Sequence, residues 1–235
     1  MTQASNYYLR NNTQFCSVGD ACIFFDLAEN RYRYIGPQKA RAIQRVANGS
    51  DNSITLSMSK DDVLQLDALS EANFLTKDYS SGKPILPTQH PKPHGAIGGE
   101  FSRTPVHVSS IIRLWTAHRS AERLINSGTT LNNLETATKL KERKISAERN
   151  VELNWVLEHA RRLYSARNFV YSYHDKCFCD SLTFFLSLTR MRVAVSWVFG
   201  VSLHPFAAHC WVEHDGIVLN DTLDNVGRYT AIYVI

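Results

Sequence analysis

The N-terminal part of the chain, residues 5–78, alternates between strand-like and helix-like patterns of apolar positions. Residues 22–27 are apolar and aromatic, and 32–35 alternate after a turn, which predicts a β-hairpin. Pro37 begins a segment with the apolar spacing of a helix, and Ser59 is placed to cap a further helix. The pattern therefore predicts a hairpin or three-stranded sheet followed by three short helices.

From residue 105 onward, helical patterns come first and strand patterns follow. Apolar residues recur with a period of about 3.6 residues after Pro105, from about 147 to 166 and from 175 to 189. The predicted strands cover 193–199, 206–213, 217–221 and 229–234. Helices followed by an antiparallel meander predict an α+β domain.

Proline and glycine are concentrated between these two parts. Five of the seven prolines and four of the eleven glycines fall within 80–105, which leaves few side chains to bury. This predicts a flexible linker over 79–104 that joins an N-terminal domain, 1–78, to a C-terminal domain, 105–235.

The composition is that of a folded protein with one large domain or two small ones. Apolar residues make up 44% of the 235 residues, and 26 Lys and Arg against 22 Asp and Glu give a mild net charge of +4. This charge does not indicate a nucleic-acid partner, and no apolar run reaches the roughly 18 residues of a membrane span. The odd, low number of cysteines and the lack of a secretory signal predict reduced thiols in a cytoplasmic protein. The cysteines are Cys16, Cys22, Cys177, Cys179 and Cys210.

Three residues in the C-terminal part carry the chemistry of a thiol acyl-transfer enzyme. In such a site a thiolate attacks a carbonyl, an imidazole takes and returns the proton, and a carboxylate orients the imidazole. Cys177, His209 and Asp221 supply these groups in that order. Cys177 is expected in the first turn of a helix with Asp175 as N-cap, where unpaired N–H groups favour the thiolate and can stabilise an oxyanion.

Each of these residues also has a purely structural interpretation. Cys177 alone could be a small buried hydrophobe, His209 a hydrogen-bonded core residue and Asp221 a turn residue at a strand end. Their occurrence together favours the catalytic interpretation. Cys179 is the rival nucleophile: it lies about 200° further around the same helix, so the two thiols cannot face one site, and the pattern alone does not choose between them.

The turn near Gly216 decides how His209 and Asp221 can meet. A two-residue turn pairs His214 with Ile217 and places His209 and Asp221 on opposite faces of the ribbon. A three-residue loop pairs His209 with Asp221 directly, with their Cβ atoms ~5 Å apart on one face. The second arrangement suits a carboxylate that accepts the imidazole N–H.

A zinc site is the alternative for this cysteine- and histidine-rich region. The paired Cys-x2-Cys knuckles of structural zinc sites are missing, and the thiols alternate in direction along the helix and the strand. The sequence therefore predicts neither a metal nor another cofactor. The candidate zinc ligands would be His174, Cys177, Cys179, His209 and Cys210.

Residues 105–235 resemble the leader peptidases of lasso peptide biosynthesis, the B proteins, which are transglutaminase-like (papain-like) cysteine proteases. The motifs that carry this resemblance are Cys177-x3-Ser-Leu, Phe199-Gly-Val, Pro205-Phe, Ala208-His-x-Trp-Val-Glu and Asn220-Asp. The family spacing of 32 residues from Cys to His and 12 from His to Asp is met from Cys177 and not from Cys179. The resemblance therefore selects Cys177 as the nucleophile. Cys210 is a departure, because the family usually has Ala or Ser there.

Residues 5–78 resemble a second element, a small winged-helix-like domain that recognises precursor peptides and is similar to the chaperone of pyrroloquinoline quinone biosynthesis. The resemblance rests on the strands around Asp26 and 31–36 and on the helix start at Pro37. It implies that a leader peptide adds as a strand to the edge at 31–35, in a groove against the helix near 61–73. The implied leader-binding residues are Phe24, Tyr32, Arg33, Tyr34 and Ile35.

Together the two resemblances imply a cysteine peptidase that binds the leader of a ribosomally made lasso precursor peptide and cleaves it at the leader–core junction. They also imply a partner, the asparagine-synthetase-like lasso cyclase, which closes the macrolactam. A thiol acyltransferase of the transglutaminase or arylamine acetyltransferase type stays open, because water and amines react with the same thioester. A non-catalytic winged helix on DNA is the other alternative, and acidic residues on its reading helix disfavour it. Those residues are Asp61, Asp62 and Asp67.

Overall fold

The computed structural model of the protein describes residues 7–49, 59–97, 105–145, 151–172 and 176–235. The chain divides into two compact units, residues 1–89 and 90–235. Across the described ranges, no helix is both long and apolar enough to cross a membrane.

The described residues of the first unit form two small sheets and two α-helices. In chain order its elements are β1 (Tyr8–Arg10), β2 (Thr13–Val18), β3 (Ala21–Asp26), β4 (Arg31–Ile35), α1 (Pro37–Gly49), α2 (Lys60–Glu71), β5 (Leu75–Thr76) and β6 (Gly82–Lys83). Strands β2, β3 and β4 form an antiparallel meander, and the second sheet has the order β5-β1-β6. Residues from the meander and from both helices meet in one core, to which β3 contributes Cys22 and Phe24.

The hairpin, the helix start at Pro37 and the cap at Ser59 are confirmed. Ser59 Oγ accepts the backbone N–H of Asp62 at 3.1 Å, and the Asp62 carboxylate accepts the backbone N–H of Ser59 at 3.4 Å, a reciprocal capping box. The prediction of three short helices is wrong for the described residues of this unit. After α2 they contain a single 3-10 turn, Tyr79–Ser81, and no further α-helix.

The second unit combines helices with a largely antiparallel sheet, which confirms the predicted α+β arrangement. In chain order its elements are β7 (Gly95–Ala96), α3 (Val108–Ser127), α4 (Thr130–Ile145), α5 (Leu153–Arg167), α6 (Cys177–Arg190), β8 (Ser196–Leu203), β9 (Phe206–His214), β10 (Ile217–Val218), α7 (Leu223–Val226) and β11 (Thr230–Val234). The sheet order is β11-β8-β9-β10-β7, and only the short pair β10–β7 is parallel among the described strands.

Helix α6 is the central element of the second unit. Residues 180–189 are all buried, because α3, α4 and the strands β8 and β9 pack around the helix. The sequence explains this position, since leucine and phenylalanine cover a broad face of the helix and small polar side chains such as Thr183 and Ser187 occupy the rest of its buried surface. The Ser181 hydroxyl donates a hydrogen bond to the backbone carbonyl of Cys177 at 2.7 Å, and this bond allows a polar side chain in the core.

Helix α4 is the longest element that the apolar pattern does not predict. Most of its residues are polar, and Leu134 and Ala137 are the apolar side chains that it buries completely. With so few apolar positions, the sequence pattern of this helix cannot be distinguished from that of a solvent-exposed polar segment. The second predicted helix is present as α5 but begins at Leu153, and residues 146–150 lie outside the described residues.

The described part of the predicted linker is anchored rather than free. Strand β6 belongs to the first unit, where the Thr88 N–H also donates to the Phe15 carbonyl at 2.7 Å. In the second unit, His90 lies 2.8 Å from Glu213, and β7 adds to the edge of the sheet. Short stretches between the prolines therefore still place their N–H groups in sheets. Residues 98–104 lie outside the described residues.

Gly200 on β8 lies directly opposite His209 on β9. A Cβ atom at Gly200 would come within 2.7 Å of the Trp211 ring and 2.8 Å of the Tyr229 Cβ, closer than real Cβ contacts. The missing side chain therefore allows these two aromatic residues to close over the strand.

We expect Gly200→Ala to lower the free energy of unfolding by about 1–3 kcal/mol, as overpacking of a core does. Urea unfolding of the full chain, followed by circular dichroism, measures the change. Gly95→Ala is the matched control, because a Cβ there would meet its nearest atom, on Ile217, at an ordinary 3.5 Å. Equal stability of the two variants would contradict the packing argument.

Candidate active site

Cys177 lies at the N-terminus of the central helix. Helix α6 begins at Cys177 itself, with Lys176 as an N-cap that makes no side-chain hydrogen bond. The predicted N-cap, Asp175, lies outside the described residues. The thiol is therefore placed where helix N–H groups lack intrahelical partners and the helix dipole is positive, and both effects favour a thiolate.

His209 and Asp221 meet, but not through the predicted register. Strand β9 ends in a two-residue turn, Asp215 and Gly216, with positive φ angles of 48° and 72°. This turn makes His214 the partner of Ile217. The prediction of a three-residue loop is therefore wrong. Asp221 Oδ2 nonetheless lies 2.5 Å from His209 Nε2, because the chain leaves the ladder after β10 before it reaches Asp221.

The bend that follows β10 is fixed by Asn220. Leu219 still pairs with β9 and donates its N–H to the Val212 carbonyl at 2.8 Å. The Asn220 side chain then takes the place of a strand partner, since its Oδ1 accepts the Val212 N–H at 2.8 Å. The backbone is thereby released from the ladder, and Asp221 reaches the imidazole.

A buried ion pair supports this bend. Arg167 of α5 and Asp180 of α6 are 4% and 5% exposed, and Arg167 Nη1 lies 3.3 Å from Asp180 Oδ2. Asn220 donates its Nδ2–H to the same carboxylate oxygen at 2.9 Å. The backbone carbonyl of Asn220 accepts a hydrogen bond from Arg167 Nη1 at 3.3 Å. Tyr171 donates its hydroxyl to Asp180 Oδ1 at 2.8 Å. These bonds join α5, α6 and the bend through one carboxylate.

Two donors besides the imidazole surround the Asp221 carboxylate. The Thr222 N–H donates to Oδ1 at 2.7 Å, and Asn225 Nδ2 donates to Oδ2 at 2.9 Å and lies 3.3 Å from His209 Nε2. Burial raises the pKa of Asp221, but the hydrogen bonds from His209, Thr222 and Asn225 outweigh it and hold the pKa below its usual value. Sequence reasoning missed Asn225, whose one local signal is the Thr222 N-cap of α7.

Aromatic rings restrain the His209 imidazole. Tyr229 tilts against it with ring centroids 5.2 Å apart, and Trp211 stacks near it at 6.1 Å and 21°. The Trp211 indole N–H donates to the buried carboxylate of Glu213, which fixes this ring in turn. The imidazole therefore has one edge on Asp221 and aromatic side chains beside it, which limits its rotation.

The surroundings of Cys177 stabilise its thiolate. A hydrogen bond from the Cys210 thiol lowers the pKa of Cys177, whereas burial raises it. The hydrogen bond and charge of His209 and the backbone N–H of Cys210 lower it further, so that the pKa falls to about 4. Burial lowers the pKa of His209, but the hydrogen bonds and charges of Asp221 and Cys177 raise it to about 9. Between these pH values the two side chains form a thiolate–imidazolium pair. Since Nε2 faces Asp221, Nδ1 is the nitrogen left for the sulfur.

Cys179 lies in a different environment. Its Sγ is 3.7 Å from Nδ1 of His118 on α3, and the imidazole stacks on Tyr171 at 4.2 Å between ring centroids. Burial and then the charge of Glu122 raise the pKa of Cys179, and burial lowers the pKa of His118. This second pair is therefore an uncharged thiol and an uncharged imidazole near neutral pH. The two thiols face different partners, as helix geometry requires.

A polar cavity of about 510 Å³ opens beside Cys177. Its walls include the His209 imidazole and the carboxylates of Asp180 and Asp221. Tyr164, Ala208 and Asn225 complete this part of the lining. Arg167 and Asn220 also line it, so the supporting network forms part of the cavity wall. A carbonyl group that entered this space would meet the sulfur with the imidazole beside it.

No metal centre is present among the residues that the structure describes, since no three His, Cys, Asp or Glu side chains are arranged to hold an ion. Of the zinc ligands considered from the sequence, Cys177 and Cys179 face different histidines. His174 lies outside the described residues.

The side chains expected to bind a leader peptide lie on β3 and β4 of the first unit. Phe24 is fully buried among aromatic side chains and Ile35 is 7% exposed, so neither side chain is open to a peptide, although Ile35 belongs to the edge strand β4. Tyr34 is 59% exposed and Arg33 is also exposed, whereas Tyr32 is partly covered by stacking within the sheet.

Comparison with known families agrees with the geometry of the second unit. The sequence model of the Transglutaminase-like superfamily matches residues 114–234, just over half of the chain, and this range contains Cys177, His209 and Asp221. The chain belongs to the transglutaminase-like superfamily, whose members typically use cysteine-based catalysis. No curated protein and no solved structure matched the chain.

We expect iodoacetamide to alkylate Cys177 at pH values well below those at which ordinary thiols react. The rate should rise as the pH increases through about 4, where Cys177 loses its proton, and stay level up to about 9, where His209 loses its charge. Mass spectrometry of the tryptic peptide 177–190 after limited alkylation measures the rate.

Single substitutions separate the two thiols of that peptide. The reaction at low pH should disappear in Cys177→Ala and persist in Cys179→Ala, because the pKa of Cys179 is raised. A wild-type reaction that titrates only in the ordinary thiol range would rule out the ion pair.

Proposed function

We propose that this protein is a cysteine peptidase that binds the leader segment of a lasso precursor peptide and cleaves it at the leader–core junction. The observation that carries the proposal is that His209 is hydrogen-bonded to both Cys177 and Asp221, within a transglutaminase-like domain. The resemblance of the motifs around these residues to the B-protein leader peptidases supplies the substrate class.

In the proposed acylation step, the Cys177 thiolate attacks the carbonyl carbon of the scissile bond. The N–H groups in the first turn of α6 stabilise the oxyanion that develops, and the Cys210 backbone N–H, which faces the same sulfur, is a further donor. The His209 imidazolium then protonates the leaving amine as the C–N bond breaks. The core peptide departs with a free N-terminus.

In the proposed deacylation step, water cleaves the thioester that joins Cys177 to the leader. Neutral His209 takes a proton from the water as its oxygen attacks the thioester carbon, and the sulfur leaves as thiolate. Asp221 holds the ring through Nε2 and stabilises the imidazolium that forms again. The hydrogen bonds from Thr222 and Asn225 keep this carboxylate ionised through the cycle.

The first unit supports the proposed role of a winged-helix-like recognition domain for the leader. Among its described strands, β4 is an edge strand, so one side of its backbone is open to strand addition. A cleft of about 650 Å³ reaches Arg31 and Arg33 of β4, and its other walls come from the ends of β1, β2 and β3 and from Phe74 just beyond α2. An extended leader would pair with β4 while alternate side chains enter the cleft. Binding there would raise the effective concentration of the junction at the peptidase site.

The free amine of the released core is the group that an asparagine-synthetase-like cyclase joins to an Asp or Glu side chain. We therefore propose this cyclase as the functional partner of the peptidase. The two reactions would have to follow each other, because the cyclase has no nucleophile until the leader is removed.

We expect the full-length protein to cut the precursor peptide encoded beside its gene at a single junction. Cys177→Ala should abolish the cleavage, since no other group replaces the thiolate, whereas Cys179→Ala should retain it. Mass spectrometry of the peptide products, taken at several times, measures both the cleavage site and the rate.

Incubation with a labelled primary amine distinguishes hydrolysis from acyl transfer. Products that carry only water at the new carboxyl terminus support the peptidase, and products that carry the amine identify an acyltransferase. Cleavage by Cys177→Ala at the wild-type rate would contradict the mechanism altogether.

A further inference from the structure

Cys210 places a second thiol against the candidate nucleophile. It follows His209 on β9, and its side chain points to the opposite face of the strand, toward α6. Ser181 Oγ lies 3.2 Å from the Cys210 sulfur and 2.7 Å from the Cys177 carbonyl oxygen, so it spans the two cysteines. Cys177 and Cys210 line the same cavity, and a hydrogen bond joins their side chains. Their sulfurs are not bonded to each other.

We propose that Cys177 and Cys210 form a redox pair, in which a hydroperoxide oxidises the Cys177 thiolate and Cys210 then closes a disulfide on it. This proposal depends on the thiolate character of Cys177 and not on which bond the enzyme cleaves. It assigns a role to the residue at which the chain departs from the family whose motifs it resembles.

The first step consumes the thiolate and the peroxide. The Cys177 sulfur attacks one oxygen of the hydroperoxide, an S–O bond forms, and the O–O bond breaks. The other oxygen leaves with a proton from the His209 imidazolium, as water or an alcohol. The sulfur is oxidised to a sulfenic acid, and the peroxide is reduced.

The second step consumes the sulfenic acid and the Cys210 thiol. The Cys210 sulfur attacks the Cys177 sulfur, an S–S bond forms, and the S–O bond breaks. The sulfenic hydroxyl leaves as water with the proton of the Cys210 thiol. No further oxidant is needed, because the disulfide has the oxidation state of the sulfenic acid plus a thiol.

The position of Cys210 explains why it would react only after Cys177. The side chain is 3% exposed, and burial, followed by the thiolate beside it, raises its pKa well above the usual range. Oxidation of Cys177 removes that negative charge, which makes the Cys210 thiol easier to deprotonate. The disulfide would then block the nucleophile reversibly and protect it from sulfinic acid, which dithiothreitol does not reduce.

Mass spectrometry of the full-length protein tests the proposal without any peptide substrate, so its outcome is independent of the proposed function. The protein is exposed to a small excess of hydrogen peroxide, free thiols are blocked with N-ethylmaleimide, and the tryptic peptides are analysed. In the wild type we expect the peptide with Cys177 cross-linked to the peptide with Cys210, with the loss of two hydrogen atoms. Dithiothreitol should restore alkylation of Cys177.

Variants identify the partners of the cross-link. In Cys210→Ser and Cys210→Ala, the cross-link should be lost, and Cys177 should accumulate as sulfinic or sulfonic acid that dithiothreitol does not reverse. Cys179→Ser is the matched control, because it removes the neighbouring thiol of the same peptide and should leave the cross-link intact. Overoxidation of Cys177 in the wild type without any cross-link to Cys210 would overturn the proposal, and this result decides even if a Cys210 variant fails to fold.

Discussion

The buried ion pair between Arg167 and Asp180 is the interaction on which the candidate site depends. Two charges removed from water destabilise a protein unless good geometry and further hydrogen bonds compensate them. Asn220 supplies part of that compensation and at the same time takes the place of a strand partner for β9. Cys177 lies one helical turn before Asp180, and Asp221 directly follows Asn220. One network therefore determines where the thiol and the carboxylate stand.

The two thiol–imidazole pairs on α6 show that residue types alone do not define a nucleophile. Cys177 lies at the helix N-terminus beside an imidazole that Asp221 holds at 2.5 Å, and the pair becomes charged. Cys179 lies two residues further on, against His118, whose nearest carboxylate is a half-exposed glutamate at 3.5 Å. Burial then dominates and keeps this second pair uncharged. The partly buried, well-paired carboxylate of Asp221 is the difference between the two environments.

Elements with a strong apolar period could be predicted from the sequence, and those that depend on distant contacts could not. The β3–β4 hairpin and the central helix α6 follow from their apolar patterns. Helix α4 is too polar, and β7 is a two-residue strand that forms only because the edge of β10 is available. The thiol, imidazole and carboxylate chemistry points to His209, Asp221 and a cysteine of α6, and the family resemblance, not the pattern, selects Cys177 over Cys179. The register of His209 and Asp221 could not be predicted, because the Asn220 side chain replaces a backbone partner and no period-2 pattern shows this.

The ionisation of His209 is the most direct test of the central claim, which is that a thiolate and an imidazolium coexist at this site. Nuclear magnetic resonance of the imidazole nitrogens in selectively labelled protein, recorded across a pH titration, follows the protonation of this ring. The account predicts that His209 is doubly protonated at neutral pH and titrates at about 9, and that Cys177→Ala lowers this value. A neutral His209 at neutral pH, unaffected by loss of the thiol, would contradict the ion pair and the mechanism that is built on it.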